Sequence, residues 1–546
     1  MRGLMQDWPL LGHRIIDHAA TFHGARPVVS RSVEGPLHRT DYRSIRLRAL
    51  KVAQRLERDG INLGDRVATL AWNTWRHLEC WYGIMGIGAI YHTVNPRLFP
   101  EQIVWIVNHA EDRVMMTDLT FIPLLESLAD SLPTIERYVV LTDADHMPST
   151  SLKNAVAYET WIGETDGDFA WKSFDENTAA GMCYTSGTTG DPKGVLYSHR
   201  SNVLHSMMAS SADAMGIGSR DVVMPVVPMF HANCWGIALT APMNGASLVL
   251  PGQKMDGASI HELLESEKVT CTAAVPTIWL MLLQHLEKTD GKLNHLKRVV
   301  IGGSACPRAM TETFERDYGV EVIHAWGMTE MSPLGSLCTL TPEYADLTGD
   351  ALLDIKVKQG HPPFGVEMKI ADDRGTEQSW DGEMFGRLKV RGPAVARAYY
   401  RAERERILDE TGYFDTGDVA TIDRNGYLQI TDRSKDMIKS GGEWISSIAL
   451  ENLAVGHPAV AEAAVIGVRH PKWDERPLLI VVAKPDMTVT RDDILTYMAG
   501  KVASWWIPDD VAFVDRIPHT ATGKIQKTAL RERFKNYILP GSAAAE

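Results

Sequence analysis

Up to about residue 145, short apolar runs alternate with segments whose apolar positions recur every third or fourth residue. RVATLAW (66–72), AIYHTVN (89–95), RVMMTD (113–118) and RYVVLTD (137–143) read as strands. Between them TWRHLECWYGIMGIG (74–88), PEQIVWIVNHA (100–110) and FIPLLESLADSL (121–132) carry helical spacing. Strand and helix alternating at this spacing predict a parallel sheet covered by helices. The pattern resumes at DVVMPVVPMF (221–230), ASLVLP (246–251), VTCTAAVP (269–276), KRVVIGG (297–303) and VEVIHAW (320–326). From about residue 384 the texture turns to hairpins: MFGRLKVRG (384–392), DVATID (418–423) and GYLQITDR (426–433). A smaller unit follows, with strands at AEAAVIGVR (461–469), LLIVVAKP (478–485) and VAFVDRI (511–517) and helices at 446–456, 491–503 and 527–536. The expected fold is a large α/β N-terminal domain, with Rossmann-like layered sheets and a β-rich subdomain, followed by a small α+β C-terminal domain. The charged stretch Asp432–Lys435 marks the boundary: 1–432, a hinge at 433–435, and 436–546. No internal repeat is visible.

Composition narrows the function. At 546 residues the chain exceeds what one core organises. A net charge of −13 argues against a general nucleic-acid or anionic-membrane binder. The six cysteines are scattered with no C-x-x-C, which suits a reducing compartment and gives no zinc or disulfide framework. The N-terminal MRGLMQDWPLLGHRII lacks a signal peptide's apolar stretch. No apolar run approaches the roughly 20 residues of a membrane span. The expected location is cytoplasmic.

Candidate chemistry concentrates in five stretches. YTSGTTGDPKG (184–194) surrounds Gly187 and Gly190 with the hydroxyls of Thr185, Ser186, Thr188 and Thr189, and holds Lys193 just beyond Pro192. Glycines admit close backbone approach and successive N–H groups line an anion site, so the stretch reads as a phosphate grip or an ordinary polar turn. It is not a Walker A loop, because Asp191 and Pro192 separate Gly190 from Lys193 and the continuation GVLYSH is β-like. The helical pattern begins only near Ser201, so the grip should sit between two strands. HAWGMTE (324–330) offers an aromatic face, Gly327, the hydroxyl of Thr329 and the carboxylate of Glu330 at a strand exit. Mg²⁺ favours such hard oxygen donors together with phosphate oxygens. TGD (416–418) places Asp418 after a glycine, where a carboxylate accepts from ribose hydroxyls or caps a turn. GGSA (302–305) is a second glycine turn at a strand end, and IPHTATGKIQK (517–527) puts Lys524 on a glycine-rich loop before the last helix.

In this order, these stretches resemble the adenylate-forming superfamily of acyl-CoA synthetases, 4-coumarate-CoA ligases and firefly luciferases, over nearly the whole chain. NPRL (95–98), YTSGTTGDPKGVLYSHRS (184–201), PMFHAN (228–233), GGSACP (302–307) and KSGGEWIS (439–446) most resemble bacterial medium- and long-chain fatty acyl-CoA ligases, a branch that includes methylmercaptopropionate-CoA ligases. The resemblance implies ATP and CoA as substrates, Mg²⁺, a small carboxylic acid, and a C-terminal domain that swings between two half-reactions. A homodimer is left open as the assembly. The implied roles are specific. Thr185 to Gly190 and Lys193 embrace the β- and γ-phosphates, and Thr185 and Glu330 help hold Mg²⁺. Trp326 stacks on adenine with Gly303, Ser304 and Gly327 alongside, and Thr329 touches the α-phosphate. Asp418 and Arg433 hold the ribose, with Lys435 and Lys439 contributing from the hinge side. Lys524 bridges carboxylate and α-phosphate. Ser440, Gly441, Gly442, Glu443 and Trp444 form the loop on the CoA side. Two departures stand out. Trp326 replaces the usual tyrosine, which keeps the π-face and changes the polar edge. Trp444 stands where plant coumarate ligases often carry glutamine, which puts its phosphate role in doubt.

Family position lines the acid pocket with Phe230, His231, Trp235, Gly236, Val275, Pro276, Gly302, Met328 and Pro333. The set is mostly apolar, without an acid to recognise an amine or an arginine to recognise a second carboxylate, so an unsubstituted monoacid is expected. His231 either orients the substrate carboxylate or gates the pocket. Trp235 caps a short pocket or walls a long one. The alternatives are a methylmercaptopropionate or aryl-acid CoA ligase, an acyl-AMP ligase loading a carrier protein, a luciferase-like oxygenase, and a non-catalytic nucleotide binder. The last should have lost Lys524 or Glu330, and both are present.

Overall fold

The computed structural model describes all residues except 2, 186–190, 442, 486, 520–524 and 541–546. The side chains of Glu443 and Trp444 lie outside that description as well. Two sheets dominate. A seven-stranded sheet runs Val156–Ala157, Arg137–Val140, Val114–Thr117, Arg66–Leu70, Ile90–Thr93, Ala179–Tyr184, Gly194–Ser198 in spatial order. It is parallel up to its last pair, which is antiparallel. An eight-stranded sheet runs Leu334–Leu337, Glu321–Gly327, Arg298–Ile301, Cys271–Ala274, Val222–Pro225, Ser247–Leu250, Pro27–Arg31, Leu37–Asp41. The expected strands are all present, and they read as apolar runs because both faces of each sheet are covered.

The helix Trp75–Gly86 is buried at every position, since it belongs to the core shared by both sheets. Glu79 within it is paired, accepting from Arg48 at 2.7 Å and from the Tyr158 hydroxyl at 2.7 Å. An unpaired carboxylate at that depth would be strongly destabilising. Helix Tyr42–Arg58 crosses this helix at Gly83, where an added Cβ would lie 2.5 Å from Val52 Cγ1 and 2.8 Å from the Ala49 carbonyl oxygen. The alternating pattern does not reveal that Pro27–Arg31 joins the second sheet beside Ser247–Leu250. Such a pairing leaves no local mark in either strand.

The β-rich subdomain is an antiparallel meander of Glu367–Ala371, Gly386–Arg391, Phe414–Ile422 and Leu428–Arg433. The TGD stretch lies inside its third strand rather than at a turn. Gly417 there takes φ of 73°, and the ladder shifts register at Val419/Ala420. A five-stranded sheet follows, built on Ile438–Ser440, Glu443–Ile445, Val460–His470, Asp474–Ala483 and Asp510–Phe513. Helix Arg491–Met498 is shorter than expected, because Ala499 is extended and Gly500 takes φ of 76°. Helix Lys527–Arg533 also stops early.

Contacts across residues 433–435 tie the last sheet to the meander. Asp432 accepts from the backbone N–H and hydroxyl of Ser447 at 2.6 and 2.5 Å. Within 436–546 itself, Lys527 pairs with Glu451 at 2.7 Å, and Arg531 with Asp436 at 2.6 Å. Among the described residues, no helix is long and apolar enough to cross a membrane.

Gly83→Ala tests the helix crossing. Alanine gains about 1 kcal/mol of helix propensity, but the backbone oxygen of Ala49 cannot yield as a flexible side chain would. Overpacking should win, lowering unfolding stability by about 1–2 kcal/mol in urea titration. A raised midpoint would show that the helices have slack there.

Candidate active site

The phosphate-grip stretch hangs between two antiparallel strands, Ala179–Tyr184 and Gly194–Ser198, with Tyr184 opposite Gly194. Thr185 N–H donates to the Lys193 carbonyl at 2.9 Å and closes the base of the loop. Ser186, Gly187, Thr188, Thr189 and Gly190 lie outside the described residues. The Lys193 ammonium sits 4.9 Å above the Tyr399 ring and 3.9 Å from the Glu405 carboxylate. Helix His199–Ser210 starts two residues before the expected point, capped by Ser198, whose hydroxyl accepts from Ser201 N–H at 2.9 Å.

Trp326, Asp418 and Arg433 meet in a second corner. The indole N–H donates to Asp418 Oδ2 at 3.0 Å, and Arg433 Nε reaches Asp418 Oδ1 at 2.8 Å. The polar edge of Trp326 thus holds one oxygen of the Asp418 carboxylate while Arg433 holds the other. The indole lies flat against the strand at Gly335, where a Cβ would be 2.3 Å from its ring. Gly303, at φ of 82°, and Ser304 are exposed beside this corner. Their loop is pinned from behind by buried His324, whose Nε2 accepts from Cys306 N–H at 3.3 Å while Nδ1 donates to the Val357 carbonyl at 2.8 Å. Burial pulls the His324 pKa down to about 4, so the ring is neutral and able to accept.

Thr329 and Glu330 form a single turn of 3₁₀ helix leaving the same strand, through Gly327 and Met328. Both are buried. The Tyr197 hydroxyl donates to the Thr329 carbonyl at 2.8 Å, Ala396 N–H to the Glu330 carbonyl at 2.7 Å, and the Tyr399 hydroxyl to Glu330 Oε1 at 2.8 Å. Among the described residues neither Glu330 Oε2 nor the Thr185 hydroxyl has a recorded partner. Two free hard oxygens fit the donor set that Mg²⁺ takes alongside phosphate oxygens.

The pocket residues gather around an unusual turn. Ala232, Asn233, Cys234, Trp235 and Gly236 have φ of 44°, 53°, 56°, 50° and 78°, a left-handed turn in which only the last residue is glycine. Each non-glycine residue there costs about 1–2 kcal/mol, so the turn needs external support. Asn233 supplies it, accepting from the Tyr91 hydroxyl at 3.3 Å and donating to Asn202 Oδ1 at 3.4 Å. Asn73 holds the preceding segment through the carbonyls of Pro225 and Val227 and the N–H of Met229. His205 packs beneath Gly236 and accepts from Leu334 N–H at 3.1 Å. The turn lays Trp235 against Gly302, where an added Cβ would meet the indole at 3.1 Å, and Gly303 abuts Val275 in the same way at 3.0 Å. Pro276 opens the helix after Val275, and Met328 N–H donates to the Pro333 carbonyl at 2.9 Å. Phe230 is buried against Trp72, ring centroids 5.8 Å apart, with the Arg97 guanidinium 6.0 Å from it. His231 stands half-buried at the head of the turn.

The small sheet's residues keep to themselves. Lys439 N–H donates to Glu475 at 3.0 Å, Ser440 accepts from Arg476 at 3.2 Å, and Gly441 N–H donates to the Trp473 carbonyl at 2.8 Å. Lys435 is exposed, with Asp436 and Arg433 among the charges acting on it, and Lys439 is exposed as well. Gly442 and Lys524, with the side chains of Glu443 and Trp444, lie outside the described residues. Sequence reasoning missed Tyr399, Tyr197, Asn233, Asn202, Tyr91, Asn73 and His205. Each acts through a partner distant in sequence, which hides the role even of Tyr197 and Asn233 inside quoted stretches.

The family description "AMP-binding enzyme" matches residues 16–400, and "AMP-binding enzyme C-terminal domain" matches residues 449–524. The chain is 47% identical over 544 residues to a medium-chain-fatty-acid–CoA ligase of Ectopseudomonas oleovorans, covering 100% of both chains. It is 48% identical over 538 residues to a 3-methylmercaptopropionyl-CoA ligase of Ruegeria lacuscaerulensis, covering 98% of this chain and 100% of the other. The solved structure of the anthranilate CoA ligase AuaEII with anthranoyl-AMP superposes with a TM-score of 0.86 at 26% identity, over 97% of this chain and 99% of that one.

His324→Gln keeps an acceptor for Cys306 and a donor for Val357 but cannot titrate. With the folded pKa depressed from 6.5 to about 4, the histidine's stability share is complete above pH 6.5 and is lost as pH falls toward 4. Each pH unit in that window is worth about 1.4 kcal/mol. The variant should therefore lose about 2 kcal/mol less than the parent between pH 7.5 and 5, read from urea midpoints. Parallel curves would mean the ring is protonated in place.

Proposed function

The chain belongs to the AMP-binding enzymes, and from that membership we propose that it is an ATP-dependent acyl-CoA ligase acting on an unsubstituted monocarboxylic acid. A carboxylate resists thiol attack because its leaving group would be oxide. In the first half-reaction a carboxylate oxygen attacks the α-phosphorus of ATP, the bond to the β-phosphate breaks, and pyrophosphate leaves. In the second, the CoA sulfur attacks the carbonyl carbon, the carbon–oxygen bond breaks, and AMP leaves. Both steps need charge neutralisation and positioning rather than a protein nucleophile. Glu330 and Thr185 would hold Mg²⁺, which would neutralise phosphate charge when bound. Asp418 and Arg433 take the ribose and Trp326 takes the adenine face. Lys193 meets the terminal phosphates and Lys524 the carboxylate–phosphate junction. Lys439 and the loop at 440–444 serve the thiol step after residues 436–546 swing about the hinge. Cytoplasmic residence and a homodimer belong to the same reading, to be checked by fractionation and light scattering.

The observation that supports this reading most is the Trp326–Asp418–Arg433 contact, one strand exit away from Glu330 and the paired Tyr399–Lys193. An aromatic face, a buried acceptor and a hard-oxygen donor thus come from one strand exit and the chain segments packed against it. The acid is read from the expected lining, whose apolar residues favour a fatty acid. The 48% identity to a 3-methylmercaptopropionyl-CoA ligase favours a second reading, a short thioether acid such as methylmercaptopropionate.

Pyrophosphate release with straight-chain acids from C4 to C12, methylmercaptopropionate and aryl acids, with and without CoA, tests the proposal. Each buried CH₂ is worth about 0.8 kcal/mol, roughly fourfold in specificity constant. The values should climb by up to that factor per carbon and break in the medium-chain range, with CoA needed for turnover. A flat profile, or a preference for a charged amino acid, would contradict the pocket assignment.

A further inference from the structure

One half-buried tyrosine touches both charged parts of the phosphate end of the site, and no motif singles it out. Tyr399 lies on the segment after the second strand of the meander, and that segment is clasped to both large sheets. Tyr400 N–H donates to the Gly194 carbonyl at 2.8 Å, Ala396 N–H to the Glu330 carbonyl at 2.7 Å, and the Ser332 hydroxyl to the Ala394 carbonyl at 2.9 Å. Between these anchors the Tyr399 ring packs on Cys183, Val195 and Tyr197, on the two strands that carry the phosphate-grip loop. Its hydroxyl donates to Glu330 Oε1 at 2.8 Å, and its ring face carries the Lys193 ammonium at 4.9 Å.

We propose that Tyr399 is a positioning residue that fixes Glu330 and Lys193 relative to each other, presenting one carboxylate oxygen to the metal while seating the phosphate-grip lysine on its ring. This rests on the reading above that Glu330 holds Mg²⁺. The hydroxyl occupies Oε1 and thereby assigns Oε2 to the metal. A carboxylate free to rotate would have to be ordered at each binding event. The ring works separately. Lys193 has one recorded ion pair among the described residues, the long contact to Glu405, so the π-face is its main seat in the absence of nucleotide. Two contacts on two parts of one side chain make the proposal separable by substitution.

Tyr399→Phe keeps the ring and removes the hydroxyl, whereas Tyr399→Leu removes both. Mn²⁺ is titrated by electron paramagnetic resonance in the presence of α,β-methylene-ATP, and analogue affinity is measured separately without metal. Outer partners of metal ligands are typically worth about 10- to 100-fold in metal affinity, so Tyr399→Phe should raise the Mn²⁺ dissociation constant at least about tenfold. It should leave metal-free nucleotide affinity unchanged. Tyr399→Leu should show the same Mn²⁺ loss and, in addition, weaken metal-free nucleotide binding by about threefold as Lys193 loses its seat. Thermal melting of both variants guards against a general loss of fold, which would move both readouts together in Tyr399→Phe. Glu330→Gln is the control. If it binds Mn²⁺ like the parent, the metal assignment fails and takes the proposal with it. If it loses Mn²⁺ while Tyr399→Phe binds normally, the metal assignment stands and the positioning role of Tyr399 is overturned.

Discussion

Three sheets meet at the two peptide units of Thr329 and Glu330. The seven-stranded sheet reaches in through Tyr197, the eight-stranded sheet supplies the strand from which the turn leaves, and the meander sends Ala396 and Tyr399. Backbone carbonyls at that depth must be satisfied, and here each is satisfied by a different layer. The relative placement of the layers is thereby written into two hydrogen bonds and one carboxylate. A shift of any sheet would leave a buried acceptor unpaired at a cost of about 1–3 kcal/mol. Everything the nucleotide would touch is built outward from that junction: Trp326 upstream on the same strand, Asp418 on the neighbouring meander, Lys193 on the hairpin below.

The acid side follows a different physical rule. Its shape depends on a left-handed turn that the local sequence resists, held by an amide and phenol network of Asn233, Asn202 and Tyr91. Strain of this kind persists only where the surroundings over-determine it, and it gathers where function needs a fixed but unusual geometry. The consequence is a tryptophan pressed against Gly302, where an added Cβ would meet the indole at 3.1 Å, while Gly303 beside it is held tight by Val275 at 3.0 Å. On the proposed reading, nucleotide and acid sites are thus set by different means, one by a satisfied junction and the other by supported strain.

Much of this was legible in the chain because chemistry and burial both leave local marks. Strands such as Val114–Thr117 and Cys271–Ala274 appear as largely apolar runs without alternation, since they are buried at every position. Gly303 and Gly417 stand in motifs because their positive φ excludes most other residues. What stayed hidden depends on partners far along the chain. Pro27–Arg31 reads like any apolar run, and nothing in it points to Ser247–Leu250. Tyr399 lies in AYYR, where either tyrosine looks like packing until Glu330 is placed beside it. His205 and His324 are unremarkable in a helix and a strand, and become meaningful only with the N–H groups of Leu334 and Cys306 against them. The TGD stretch reads as a turn because glycine and aspartate favour turns, yet it kinks a strand to aim its carboxylate.

The account stands on one claim about bonds: the acid is joined to the α-phosphate before it meets the thiol. A carboxylic acid carrying ¹⁸O in both oxygens distinguishes this from every route that spares the α-phosphate. With ATP, Mg²⁺ and CoA, the AMP formed should contain one ¹⁸O atom per thioester, and mass spectrometry should find the pyrophosphate unlabelled. Label in inorganic phosphate, or AMP without label while thioester accumulates, would contradict the adenylate route and with it the reading of this site.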